Sequence, residues 1–185
     1  MENQHAKLDR PGRVAELNPT ETLKKIGFEN GQVLCDIGAG TGLFAIPAAR
    51  MSKKTVFAIE IKEEYICFLD EKSREENLAN LITIKADGFE YAIESLTVDY
   101  VLMVTVLHEI ENKEAILTEV KRILKGKGKL VVIEFHKRQT SMGPPIPHRI
   151  AKDEVIPLCE PYGFTQADSF DLGENYYCLV LQKDK

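Results

Sequence analysis

Three acidic residues and a run of glycines carry most of the chemistry this sequence can perform. Asp36-Ile37-Gly38-Ala39-Gly40-Thr41-Gly42 follows an apolar stretch and precedes a helical one. Glycine lets the backbone turn sharply and approach a ligand with no Cβ in the way. A helix starting behind such a turn adds amide donors and a positive dipole end. The turn can therefore hold a phosphate, or the carboxylate of an amino-acid ligand. Glu60 closes the next apolar stretch, where a carboxylate can accept both hydroxyls of a ribose. Ile61 would then flank the adenine face. The competing reading of Glu60 is a solvated glutamate at a strand end. Asp87 follows a third apolar stretch and precedes Gly88 and Phe89. Its carboxylate can accept from an adenine N6 amino group, or cap a short helix, for which aspartate is well suited.

These groups act together only if three strands run parallel and end on one side. The sequence supplies that pattern. Gln32–Ile37, Thr55–Ile61 and Leu81–Ala86 read as strands. Thr41–Met51 and the charged Lys62–Asn77 read as the helices between them, which argues for βαβ units and a mostly parallel sheet. Pro47 is tolerated in the first of those helices only near its start. Ligands of open α/β sheets bind outside the carboxyl ends of the strands. That is where all three acids fall.

Before this core, residues 1–18 read as an arm, and Asn18-Pro19-Thr20-Glu21 starts a helix that stops at Gly27. After it, a short helix is expected over Phe89–Ser95, then a central strand at Val98–Val104, whose continuous apolar run implies cover on both faces. Lys113–Leu124 is an amphipathic helix, Gly126 and Gly128 mark a turn, and Lys129–Phe135 is a fifth strand. Residues 136–150, with three prolines and a glycine, read as a long loop, and such loops are often functional. Lys152–Tyr162 is a helix interrupted near Pro157. Two late strands, Thr165–Phe170 and Tyr176–Gln182, flank Gly173 with no crossover helix between them, so they should be antiparallel.

The 185 residues fit one domain, and the composition is that of a globular protein, with 44% hydrophobic and 29% charged residues. A formal charge of −5 lowers the expectation of nucleic-acid binding. No apolar run approaches a bilayer span, and no signal peptide is visible at the N-terminus. A cytoplasmic monomer or homodimer with a small-molecule substrate is expected. None of the four cysteines forms a C-x-x-C pair, so no metal site is expected.

The chain resembles the class I S-adenosylmethionine-dependent methyltransferases, and within them the ubiquinone/menaquinone-biosynthesis-type C-methyltransferases and their small relatives. The residues that carry the likeness are Val33 through Gly42, Ala58-Ile59-Glu60, Ala86-Asp87, Val98-Asp99-Tyr100 leading into Val106-Leu107-His108-Glu109, and Leu124-Lys125-Gly126-Lys127-Gly128. The resemblance implies a Rossmann-like α/β three-layer fold, with a seven-stranded sheet whose last strand is antiparallel. It implies S-adenosylmethionine as cofactor. Methionyl contacts would lie near Asp36 and Gly38, with Ala39 and Gly40 in the same turn. Ribose contacts would fall at Glu60, adenine contacts at Ile61, Asp87, Gly88 and Phe89, and Val104 and Thr105 would line the sulfonium side. Most relatives have leucine where Cys35 stands, and both are apolar.

The acceptor side is thinner. Methyl transfer from a sulfonium already has a good leaving group, so the protein contributes mainly orientation and exclusion of water. A base matters where the acceptor atom starts protonated. His108 is the candidate: a base or substrate contact, or else a histidine bonded to neighbouring backbone. His148 and Arg149 end the proline loop, which resembles a segment covering the active site in small relatives. Arg149 suits an anionic substrate, unless the loop is surface decoration. Two other classes compete. A nicotinamide-dependent oxidoreductase would also use a glycine turn and a ribose acid, but Leu43 stands where the dinucleotide fingerprint wants its third glycine. A non-catalytic binding protein would share the fold without the reaction.

Overall fold

The computed structural model describes residues 8–184, and the chain divides into two compact units, Met1–Ala92 and Ile93–Lys185. In the first unit, β1 (Leu34–Ile37) is buried along its whole length and pairs in parallel with β2 (Val56–Glu60). The latter pairs in parallel with β3 (Leu81–Lys85). Three helices lead into or join these strands: α1 (Pro11–Leu17), α2 (Pro19–Lys25) and α3 (Ala45–Met51). A fourth, α4 (Glu63–Glu75), buries Tyr65 and Leu69. Pro19 opens α2 as the sequence predicts, and Gly27 in the left-handed region (φ +87°) ends it. Pro47 is the third residue of α3, where its missing N–H would have had no intrahelical partner. The helix begins later than Thr41 because residues 41–44 form turns.

Residues 1–7 of the expected arm lie outside the described residues. Residues 11–17 of that arm are helical. Proline at the first position starts α1, and Asn18 at φ +35° closes it. Leu17 anchors the helix at 0% exposure.

The second unit is built on β4 (Val98–Val104) and β5 (Leu124–Phe135), which are parallel. β7 (Tyr176–Lys183) is antiparallel to β5, and β6 (Phe164–Leu172) is antiparallel to β7. The sheet has seven strands in the order β3-β2-β1-β4-β5-β7-β6. The predicted late hairpin is present, turning at Gly173 (φ +62°). β5 starts five residues earlier than its apolar run suggests. The Gly126–Gly128 stretch is absorbed as a register shift, between the pairs Val98–Leu124 and Tyr100–Lys129. α5 (Lys113–Ile123) opens with the Asn112 side chain accepting from the Ala115 N–H at 3.0 Å. Its C-terminal end is closed from far along the chain. Lys183, 8% exposed, donates to the carbonyls of Lys121 and Leu124, both at 2.7 Å. A cation there meets the negative end of the helix dipole. α6 (Lys152–Cys159) contains Pro157 and passes into a 3-10 turn at Glu160–Tyr162.

The helix expected over Phe89–Ser95 does not form. Tyr91 and Ile93 are buried while Glu90, Ala92 and Glu94 face out, so the residues inside alternate with a period of two, which a helix cannot serve. No helix among the described residues is long and apolar enough to cross a membrane.

Candidate functional site

The glycine turn after β1 is fixed from three sides. Gly38 and Ala39 both donate to the Ile59 carbonyl, at 2.8 and 3.0 Å, which ties the turn to the end of β2. Gly38, Gly40 and Gly42 all have positive φ. Gly42 is also closed in by packing: a Cβ there would stand 2.6 Å from Leu69 of α4 and 2.8 Å from Ile46 of α3. The third side is the described end of the arm. Thr41 Oγ1 donates to Asp9 at 2.7 Å, and the Leu8 side chain lies 2.9 Å from where a Gly40 Cβ would stand.

Glu60 turns its carboxylate back into this turn. Oε2 accepts from the Gly40 N–H at 2.9 Å, while Oε1 accepts from Ile61 and Lys62 at 2.8 and 3.0 Å. The residue is 7% exposed. A carboxylate has about four lone-pair sites, so three donors leave room for a hydroxyl. Asp36, at the end of β1, is 2% exposed. Burial raises its pKa to about 7 against the opposing backbone hydrogen bond from Ala45, and the Glu60 charge adds to the rise. Two acids share one buried turn, an acceptor set that suits a ligand carrying an ammonium and a diol.

Ile61 is 68% exposed, an uncovered apolar side chain next to Glu60. Asp87 and Gly88 are exposed and Phe89 is half-buried, past the end of β3. With no helix following, Asp87 has no capping role. Nothing lies within 4 Å of where a Gly88 Cβ would stand. The sequence therefore predicted a cluster of which the structure draws Asp36, Gly38, Ala39, Gly40 and Glu60 into hydrogen-bonded or charge contact, with Ile61, Asp87, Gly88 and Phe89 at the neighbouring strand ends.

In the second unit, Val104 ends β4 at 8% exposure, and Thr105 follows at φ +55°. A β-branched residue in that region is a genuine outlier. His108 is pinned by Glu134 of β5: Nδ1 lies 2.9 and 2.8 Å from the two carboxylate oxygens, and the His108 N–H donates to Oε1 at 3.1 Å. The sequence analysis missed Glu134. The signal was there, a lone acid inside Leu130-Val131-Val132-Ile133-Glu134-Phe135. Burial alone would lower the His108 pKa, but the Glu134 hydrogen bond and charge, with Glu109, outweigh it and hold the ring above its ordinary value.

The loop at 136–149 is tightly knit. Arg149, 7% exposed, donates from Nε to the Pro144 carbonyl at 2.7 Å. Nη1 reaches the carbonyls of His136 and Arg138 and Thr140 Oγ1, and Nη2 the Met142 carbonyl. The buried Asn175 side chain accepts from the Met142 N–H at 2.8 Å and from Ser141 Oγ at 3.2 Å. The guanidinium that looked suited to an anionic substrate thus spends its donors on its own loop. His148 is exposed in a 3-10 turn.

The family profile described as "Methyltransferase domain" matches residues 35–132. The demethylmenaquinone methyltransferase of Oceanobacillus iheyensis is 24% identical over 116 residues, covering 62% of this chain and 49% of that protein. The ubiquinone/menaquinone biosynthesis C-methyltransferase UbiE of Shewanella pealeana is 26% identical over 153 residues, 81% of this chain and 61% of that protein. The chain thus spans about half to three-fifths of the length of these relatives. Among solved structures, an SAM-dependent methyltransferase from Aquifex aeolicus superposes with a TM-score of 0.89 at 26% identity, over 97% of this chain and 96% of that one.

Proposed function

The chain belongs to the methyltransferase domain family, and on that premise we propose that it transfers a methyl group from S-adenosylmethionine to a small-molecule acceptor. The observation that carries this reading is the Glu60 clasp on Gly40, which sets a buried carboxylate and a bare backbone turn side by side. When bound, the cofactor would supply an activated methyl group on a sulfonium, already carrying a good leaving group. The protein's residues bind and orient. Glu60 takes a ribose hydroxyl on its remaining lone pair. Asp36 and the turn from Gly38 to Gly40 receive the amino-acid end. Ile61, Asp87, Gly88 and Phe89 hold the base. Val104 and Thr105 face the sulfur side. The four cysteines are all free thiols, which supports a reducing, cytoplasmic setting.

Calorimetric titration of the full chain with S-adenosylhomocysteine and with a nicotinamide dinucleotide tests the reading. Binding of the first and not the second is expected, and the reverse would sink it. Gly88→Ala separates ligand contact from folding. With open space around the added methyl, thermal stability should stay within about 0.5 kcal/mol, while S-adenosylhomocysteine affinity drops several-fold. Unchanged affinity would remove Gly88 from the adenine site.

The Asp36 pKa gives a pH dependence. In the folded chain this carboxyl holds its proton until about pH 7, whereas the unfolded chain releases it near its ordinary value. The ligand-free protein should therefore lose stability as pH rises from about 4 through about 7, by a few kcal/mol if the whole shift is felt. A ligand ammonium wants the ionised form, so cofactor affinity should rise over the same upper range. Asp36→Asn should flatten both trends, in denaturation run from about pH 4 to about pH 8 and in calorimetry from about pH 6 to about pH 8.

A further inference from the structure

We propose that the second unit carries a binding site for a small phosphate monoester, in the hollow past the end of β5 where His136, Arg138 and Lys152 come together. The proposal goes beyond the methyl-transfer reading and does not depend on it. The hollow measures about 270 Å³ and lies wholly within Ile93–Lys185. Its wall is shared by the residues just after β5, the start of α6, Asp171 near the end of β6 and Tyr177 near the start of β7. A water molecule takes about 30 Å³ of the liquid. The space therefore holds a tetrahedral phosphate with a small organic group beside it.

The wall carries more positive charge than the fold uses. Lys137 is spent, since its Nζ donates to both carboxylate oxygens of Glu154, at 2.7 and 2.8 Å. Arg138 and Lys152 are not. The Arg138 guanidinium donates to the Glu174 carbonyl at 3.2 Å, and Lys152 Nζ to Ser169 Oγ at 3.3 Å. Neither meets a carboxylate among the described residues, and both are exposed. His136 adds an unmet group. Its Nε2 is closed off from water yet has no hydrogen-bond partner among the described residues. Asp171 Oδ1 stands 3.4 Å away without making that bond, on a side chain 68% exposed. Buried polar atoms left unpaired are rare, and a missing ion or ligand is one reason for them. The ring packs on Tyr177 with centroids 5.8 Å apart, and the Tyr177 hydroxyl donates to the Ile150 carbonyl at 2.9 Å. Tyr177 thus adds aromatic surface and no spare donor.

The backbone sets these groups in place. The His136 N–H donates to the Asn175 carbonyl at 2.9 Å, prolonging the pairing of β5 with β7. Arg149 Nη1 holds the carbonyls of both His136 and Arg138, each at 2.9 Å. Donors held beforehand lose less entropy when a ligand arrives. The chemistry of the set selects the ligand. A guanidinium matches phosphate oxygens two at a time, and an ammonium serves as a point charge beside it. A carboxylate offers one charge and two oxygens to three donors. A phosphate monoester offers three oxygens and a charge of about −1.5 to −2 at pH 7. As it enters, the exposed Asp171 side chain turns outward, and a phosphate oxygen takes its place beside Nε2.

That exchange couples binding to a proton. Burial first, then the Arg138 and Lys152 charges, hold the His136 pKa below its ordinary value, against Asp171 from β6 and a hydrogen bond to the Tyr176 backbone of β7. A bound dianion raises it, so the ring takes up a proton on binding and affinity falls as pH rises through its titration.

The test is calorimetric titration of the full chain with phenyl phosphate, inorganic phosphate and sulfate, at an ionic strength held constant with sodium chloride. Each titration is repeated with S-adenosylhomocysteine present. Saturable binding is expected, tightest for phenyl phosphate, and unchanged by S-adenosylhomocysteine. Arg138→Gln and Lys152→Gln should each weaken phenyl phosphate by roughly tenfold, the loss of one charged hydrogen bond, with Tm unchanged because both side chains are exposed. Sulfate keeps both its charges over the whole range, so it reads the histidine alone. Its affinity should fall severalfold from about pH 5 to about pH 7, and His136→Gln should flatten that trend. Phenyl phosphate binding that survives both the Arg138 and the Lys152 substitution would overturn the proposal, as would the absence of saturable binding. Displacement by S-adenosylhomocysteine would place the anion in the glycine turn and overturn it too. Inorganic phosphate binding as tightly as the ester would refute the monoester as the ligand.

Discussion

Glu60→Ala should weaken S-adenosylhomocysteine binding by about 1.5–3 kcal/mol, the range for a hydrogen bond to a charged group, or roughly a 10- to 200-fold rise in Kd. Two effects contribute. The ribose loses its acceptor, and the Gly40 N–H that Oε2 now receives is left without it, as are the Ile61 and Lys62 N–H groups on Oε1. Glu60→Gln tells them apart. It keeps one acceptor oxygen for the turn but replaces the other with a donor, so it should preserve stability better than affinity. Calorimetry and thermal denaturation of both variants make the comparison. An alanine variant that binds as tightly as the parent would show that the ribose lies elsewhere.

Arg149→Met should cost the protein about 3 kcal/mol of stability, which for a chain of this size is a fall in Tm of roughly 10 °C. Removing the guanidinium leaves the carbonyls of His136, Arg138, Met142 and Pro144 without their donor, and an unmet buried polar group costs about 1–3 kcal/mol. Four such groups would sum to more, but a loop near the surface can rehydrate some of them. Arg149→Lys should recover only part of the loss, since one ammonium cannot reproduce a planar fork that reaches four carbonyls. Limited proteolysis should show new cleavage within 136–149 in the methionine variant. A stable, uncleaved variant would mean that Asn175 holds the loop alone.

The legible parts of this fold were those governed by short-range pattern. The continuous run Val98–Val104 could only be a covered strand, and its bounds are those of β4. Pro19 after Asn18, and Gly27 beyond the helix, marked α2 through backbone chemistry that depends on no partner. The glycine turn and Glu60 were readable because bare backbone and a strand-end acid are visible one residue at a time. What escaped depends on distant partners. Glu134 looked like a stray acid in a strand until His108, 26 residues earlier, was placed against it. Arg149 looked like a free cation because four of its acceptors are backbone carbonyls, which no residue type announces. The stretch Phe89–Ser95, expected as a short helix, is not helical. The alternation of Tyr91 and Ile93 was the better guide, and it says strand-like burial.

The ammonium of Lys183 bears on how the chain assembles as it leaves the ribosome. The carbonyls it closes belong to residues 62 and 59 positions earlier. The second of the two long helices therefore emerges with a ragged end and stays so until the final strand has been synthesised and docked. Contacts of such long sequence separation form late. During synthesis that helix end would be the part of the second half most open to fraying, and a nascent chain stalled before residue 183 should show rapid amide exchange in the strand residues just after it.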